Sequence, residues 1–156
     1  MKIKCQTNKM KKIMKRLAVL LVAVVAVFGV AKADDDRVIE TTQLPQAAQV
    51  FIKKYFGAKK VVIAKEDAGL FISSYDVIFS DGTKLEFDND GNWTEVKCNP
   101  VPANLVPKQI QSKINELYPG TQVLKIERDG NGYELKLSNR QELEFDTKFR
   151  LTDIDD

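Results

Sequence analysis

One stretch of the chain occurs twice, and that duplication limits the fold more than any composition figure. Tyr75 to Val96 reads YDVIFSDGTKLEFDNDGNWTEV, and Tyr133 to Ile154, 58 positions later, reads YELKLSNRQELEFDTKFRLTDI. Seven of the 22 aligned positions are identical: Tyr75/Tyr133, Ser80/Ser138, Leu85/Leu143, Glu86/Glu144, Phe87/Phe145, Asp88/Asp146 and Thr94/Thr152. In both copies apolar residues alternate with polar ones (Tyr75, Val77 and Phe79; Leu85 and Phe87), the pattern of half-buried strands. Asp81-Gly82 and Asn89-Asp90-Gly91-Asn92 supply turns between them.

A helical stripe precedes each set of strands. Leu44-Pro45 opens the first helix, because proline lacks an N–H that the first turn would leave unpaired anyway. Ala48, Phe51, Ile52, Tyr55 and Phe56 then share one helix face, and Gly57 closes it. Val106-Pro107 opens the second helix, Ile110, Ile114, Leu117 and Tyr118 form its stripe, and Pro119-Gly120 stops it. Short apolar runs, Val61 to Ala64 and Val123 to Ile126, give each unit a first strand. The expected fold is therefore α+β: two tandem helix-plus-four-stranded antiparallel meander repeats, 43–98 and 105–156, joined by the proline-containing linker 99–104. Each unit of about 55 residues is near the lower limit for folding alone, so the two are expected to pack as one body, with their sheets joined edge to edge.

The N-terminus reads as a targeting segment. Seven cationic residues precede Leu17, Leu17 to Val30 is a 14-residue apolar run, and Ala31-Lys32-Ala33 is a small-x-small cleavage site. That order is a secretory signal peptide, 1–33, and the apolar run falls short of the roughly 20 residues that span a bilayer. The expected location is periplasmic or secreted after cleavage near Ala33, with membrane contact only during export. Residues 34–42 read as a disordered leader. Eight of the 24 Lys and Arg precede Asp34, so 16 remain against 22 Asp and Glu, a net of −6. Such a chain lacks the cationic stripe that nucleic acid requires. Cys98 is the one cysteine after the signal, which leaves no intramolecular disulfide there; at the end of a strand it reads as an inert buried thiol.

The order of these motifs resembles the PepSY-like, beta-lactamase-inhibitor-like exported proteins of Gram-negative bacteria. The residues that carry the resemblance are Leu44-Pro45, Tyr75 and Val77, Asp81-Gly82, Leu85, Phe87 and Asp88, and Gly91, Trp93 and Val96, twice over behind a signal peptide. The second copy departs from the pattern with Arg140 for Gly82, Phe149 for Gly91 and Leu151 for Trp93. The resemblance implies a fold shared with inhibitors that hold a partner enzyme against a concave sheet, with a periplasmic protein or peptidase as the kind of partner.

No catalytic machinery is legible. The chain has no histidine, which removes Ser-His-Asp and Cys-His catalysis and the commonest metal ligand, and no phosphate-binding or nucleophile-elbow motif is present. Asp88-Asn89-Asp90-Gly91-Asn92 has alternating oxygen ligands, but its glycine is fourth and its twelfth residue is Asn99, so it reads as a hairpin turn rather than a calcium loop. The acid pairs Glu86/Asp88 and Glu144/Asp146 read as solvated strand residues. The chain is expected to be non-enzymatic and without cofactors. Ile63, Phe71, Tyr75, Ile78 and Trp93 are the candidate partner-binding residues, Trp93 also fitting a core role. Val61, Ile63 and Ile78 are expected on the sheet face opposite Val62, Ala64 and Val77, making the first unit's outer face apolar unless the Lys65–Ser74 connection covers it. Two functions follow: a binding module that engages or inhibits a periplasmic protein through its sheet face, or a small-ligand or envelope-stress sensor holding a lipid, peptide or metabolite.

Overall fold

Among the described residues, nine strands pair strictly in chain order into a single antiparallel sheet. A computed structural model describes residues 36–68 and 73–155. The signal segment 1–33 lies outside the described residues, and so do Leu70 and Phe71. The order is β1 (Asp36–Ile39), a 3-10 turn (Thr41–Gln43), α1 (Gln46–Phe56), β2 (Val61–Ala68), β3 (Ser73–Phe79), β4 (Lys84–Phe87) and β5 (Trp93–Lys97). A second 3-10 turn (Ala103–Leu105), α2 (Lys108–Leu117), β6 (Val123–Asp129), β7 (Gly132–Leu137), β8 (Glu142–Asp146) and β9 (Leu151–Asp155) complete it. Both helices begin directly after a proline, Pro45 and Pro107, as the sequence predicts.

The sheet runs unbroken through β5 and β6, which pair antiparallel with Glu95 opposite Glu127, Val96 opposite Ile126 and Lys97 opposite Lys125. One side of the sheet contributes Val77, Leu85, Phe87, Val96, Ile126, Leu135, Leu143 and Phe145 to a single buried cluster. Ala48 and Phe56 of α1 and Ile110 and Ile114 of α2 join the same cluster, so both helices cover this side. Burying a side chain of this kind contributes about 1.5–3 kcal/mol. The linker is part of the packing: Val101 is buried, and its N–H bonds the Val123 carbonyl at 2.8 Å.

The expected disordered leader is ordered from Asp36 onward. Asp36–Ile39 adds a ninth strand along β2, with Arg37 paired to Glu66 at 2.7 Å and Lys65 to Asp36 at 3.2 Å. The physical reason lies in two apolar residues that the polar composition hid. Ile39 and Leu44 are both buried, and they hold the segment against the otherwise open edge of β2. Gly57 does not close α1 through a left-handed turn; its φ is −61°, and its lack of a side chain lets the chain pass the Lys53 carbonyl, 2.6 Å from where a Cβ would stand.

β2 is not regular. A bulge between Val61 and Ile63 places Val61 opposite Phe79 on the core side and leaves Val62 60% exposed. The expected grouping of Val61 with Ile63 and Ile78 is therefore corrected. Val61 packs on the core, whereas Ile63 and Ile78 pair with each other on the opposite face. The same irregularity between Val123 and Lys125 turns Lys125 outward while Val123 stays buried.

The turns show why the copies differ in sequence and not in path. Gly82 (φ 84°) and Arg140 (φ 75°) take the same left-handed position in their hairpins, as do Gly91 (φ 83°) and Phe149 (φ 60°). A left-handed conformation is unfavourable for residues with a Cβ. Arg140→Gly is expected to stabilise the fold by about 1 kcal/mol, read as a higher denaturant midpoint with unchanged slope. Gly91 is constrained further, since a Cβ there would stand 2.7 Å from Pro45 Cβ and 2.9 Å from the Ala48 nitrogen. Gly91→Ala is expected to cost about 2 kcal/mol by lifting the β4–β5 turn off α1, measured in the same titration.

Candidate functional site

The side of the sheet on which neither described helix packs has a chemistry that follows from register. One row across the strands reads Ile63, Ile78, Lys84, Lys97, Lys125, Lys136, Glu142 and Asp155, each directly opposite the next. The adjacent row, two residues along each strand, reads Lys65, Asp76, Glu86, Glu95, Glu127, Glu134, Glu144 and Asp153. Four lysines thus lie side by side, next to a run of seven carboxylates. Like charges directly opposite destabilise a sheet, by about 0.2–1 kcal/mol a pair.

Ion pairs between and within the rows offset that repulsion. Lys84 reaches Glu86 at 2.6 Å and Asp76 at 3.4 Å; Lys125 reaches Glu127 at 2.9 Å and Glu95 at 3.0 Å; Lys136 reaches Glu142 at 2.9 Å. For Lys84 and Lys125 burial works against the charge, but the hydrogen bonds to Glu86 and to Glu127 and Glu95 outweigh it and raise both pKa values. Glu134 is left with the repulsion. Burial first, and then the Glu127 charge, push its carboxyl above the ordinary carboxylate value, with Lys125 acting in the other direction.

The sequence candidates divide between the two faces. Ile63 and Ile78 lie beside the lysine row on the helix-free face. Tyr75 and Trp93 point the other way, both paired with Phe87 and packed against the core. Phe71 lies outside the described residues. The four described candidates thus divide between two faces. Trp93 is lodged between Phe51 of α1, with ring centroids 6.3 Å apart, and Arg128 of β6, whose Cζ is 4.1 Å from the ring centroid. Arg128 also donates from Nε to the Trp93 carbonyl at 2.7 Å. Sequence reasoning did not single out Arg128. The signal was its spacing: two residues after the buried Ile126, it shares the core face at the end of β6, opposite Tyr133.

These residues line a cleft of about 530 Å³ at the turn end of the sheet, with Trp93, Arg128 and Tyr133 beside Asp88, Asn92 and Thr147. The Asp88 carboxylate is turned into its own hairpin, where Oδ1 accepts the N–H groups of Asp90 at 3.0 Å and Asn92 at 2.8 Å. Asp146 does the same for Lys148 and Arg150, at 2.9 Å and 3.0 Å. Among the described residues, no group of three or more His, Cys, Asp or Glu is arranged to hold a metal ion. No helix among them is long and apolar enough to cross a membrane.

The architecture is that of an α+β protein presenting one open face of a long antiparallel sheet. The family model described as "Putative beta-lactamase-inhibitor-like, PepSY-like" matches residues 73–153, and the chain belongs to that family. Three solved structures are similar over nearly their whole length. A "putative periplasmic protein" of the DUF2874 family from Bacteroides vulgatus is 51% identical, with 80% of this chain and 99% of that one covered at a TM-score of 0.77. A "putative calcium-regulated periplasmic protein" from Bacteroides thetaiotaomicron is 52% identical, with the same coverage and TM-score. A second Bacteroides vulgatus periplasmic protein, of unknown function, is 38% identical, with 78% and 99% covered at a TM-score of 0.74. No curated protein matches the chain significantly.

The position of Glu134 gives a pH-dependent expectation. Its folded pKa lies above the unfolded one, so ionising it costs stability at neutral pH, and that cost disappears as pH falls through the folded value and then the unfolded one. Glu134→Gln is expected to stabilise the protein by about 0.5 kcal/mol at pH 7 and to make little difference at about pH 3, as measured by paired denaturant titrations.

Proposed function

We propose that the chain is an exported, non-catalytic binding module that engages a periplasmic protein, a peptidase being one such partner, through the helix-free face of its sheet. The observation that carries this reading is the ordered charge on that face. A row of four lysines on β4 to β7, continuing the Ile63–Ile78 pair, lies beside a row of seven carboxylates on β3 to β9, and neither described helix lies across them. A broad surface with complementary charge suits selection of a protein partner and fast association more than enclosure of a small molecule. Export is supported by the signal-like N-terminus and by the periplasmic names of the three similar structures.

The surface is read here as the product of duplication. A helix followed by four strands occurs twice, with bulges at matched places in β2 and β6 and left-handed turn residues at matched places in the hairpins. Two tandem units joined through β5 and β6 double the width of the face.

A second reading, a sensor of a lipid, peptide or metabolite, is favoured by the cleft at Trp93, Arg128 and Tyr133. One relative's name includes regulation by calcium. In this chain the Asp88 and Asp146 carboxylates are already bonded to backbone N–H groups of their own turns, which favours the sheet face.

The test is cross-linked capture from periplasmic extract, with the protein as bait beside two folded variants, Ile78→Asp/Lys97→Glu and Trp93→Ala. A protein captured by the native chain, lost with the first variant and kept with the second, is the expected result. Capture unaffected by the sheet variant would overturn the reading. Loss with Trp93→Ala alone would move the site to the cleft.

A further inference from the structure

Lys59 and Cys98, 39 positions apart, meet with the lysine Nζ 3.2 Å from the cysteine Sγ. Lys59 sits in the turn after α1, its N–H bonded to the Phe56 carbonyl at 2.9 Å, and Cys98 follows β5. The same amine donates to Asp81 Oδ2 at 2.6 Å and Thr83 Oγ1 at 2.8 Å. The Thr83 hydroxyl in turn donates to the sulfur at 3.3 Å, and both Thr83 and Cys98 are buried. Burial works against the Lys59 charge, but the hydrogen bonds to Asp81 and Cys98 outweigh it, so the amine starts as an ammonium. The Lys59 hydrogen bond, with the Thr83 backbone second, lowers the Asp81 carboxyl to about 2. Anchoring the turn needs only the Asp81 contact; the approach of amine to sulfur is additional.

Lys59 also lines a cavity of about 290 Å³, with Ile52, Phe56, Gly57 and Val61. The chain has only one other cysteine, Cys5, in the stretch read as the signal. The usual fate of an oxidised thiol, condensation with a second thiol, therefore has no partner among the described residues. A nitrogen nucleophile is the alternative trap, and Lys59 provides one in contact with the sulfur.

We propose that Lys59 and Cys98 form an oxidative modification site, at which hydrogen peroxide converts the pair into a reversible S–N cross-link, a sulfenamide. The thiol gives up its proton to solvent as the sulfur attacks one peroxide oxygen; the O–O bond breaks, giving a sulfenic acid and hydroxide. The hydroxide takes a proton from the adjacent ammonium and leaves as water. The free amine then attacks the sulfenic sulfur, the S–N bond forms, and the hydroxyl departs with an amine proton as a second water. Sulfur is oxidised by two electrons, and peroxide is reduced to two waters. The link ties the end of α1 to the end of β5.

The test uses the full chain carrying Cys5→Ser, so that Cys98 is the only thiol, treated with hydrogen peroxide and read by intact-mass and peptide mass spectrometry. The expected product has lost two hydrogens, resists trypsin after Lys59, carries Lys59 and Cys98 in one linked species, and reverts with dithiothreitol. Lys59→Arg, checked for an unchanged melting profile, is expected to give a further-oxidised Cys98 acid and no link. Cys98 oxidised to an acid while Lys59 stays free in the native pair would overturn the proposal. So would a thiol that remains reduced at peroxide levels that oxidise a free cysteine.

Discussion

The β5–β6 pairing is the contact on which the rest of the structure depends. Three residue pairs, Glu95–Glu127, Val96–Ile126 and Lys97–Lys125, are enough to turn two small sheets into one. Neither half has much to bury alone, since a single helix on four short strands gives a thin core. With β5 and β6 joined, Val96 and Ile126 become fully buried neighbours in the middle of the core, and the α1 and α2 residues enter one cluster. The connection adds its own support through Val101 and through the Cys98 N–H, which bonds the Leu124 carbonyl at 3.0 Å.

Joining the strands in this register also decides what the other face looks like. Strand residues alternate between faces, so each apolar residue placed in the core fixes the orientation of the charged residues beside it. The bulges in β2 and β6 matter here. Each inserts one residue, Val62 or Leu124, and so brings Ile63 and Lys125 into the outward row. Without the second bulge Val123 and Ile126, three residues apart, would fall on opposite faces, and Val123 could not stay buried while Lys125 and Glu127 face outward. The charge pattern of the open face is thus a consequence of backbone irregularity as much as of composition.

Most of the architecture was legible because it is periodic. The helical stripes ending at Phe56 and Tyr118 and the alternation around Val77 and Leu85 mark helices and strands that the structure places at α1, α2, β3 and β4. What escaped is what periodicity does not encode. β1 was hidden because four residues with charged neighbours carry too weak an alternation, and its partner edge exists only once β2 is folded. The bulges were invisible because a short apolar run such as Val61 to Ala64 looks the same with or without an extra residue. The candidate site was legible only in part for the same reason. Ile63 and Ile78 share a face, but Tyr75 and Trp93 belong to the other. The lysine and carboxylate rows emerge only from cross-strand register, which no single stretch of sequence contains.

The two halves share an order of helix and strands but not a surface, and this bears on the proposed binding. The row that begins with Ile63 and Ile78 at one end finishes with Glu142 and Asp155 at the other. Its partner row runs from the Lys65–Asp76 pair to the acids Glu134, Glu144 and Asp153. The face is therefore graded, from apolar and charge-balanced at the first half to strongly acidic at the second. A symmetric duplicate would offer a partner two equivalent docking positions. A graded face offers one, because the apolar pair favours burial while the acidic end steers a cationic surface into place over a range set by the salt. Under the proposed binding role, the sequence divergence most visible where Lys125 and Lys136 stand at the places of Ile63 and Ile78 would give the face a single orientation of binding.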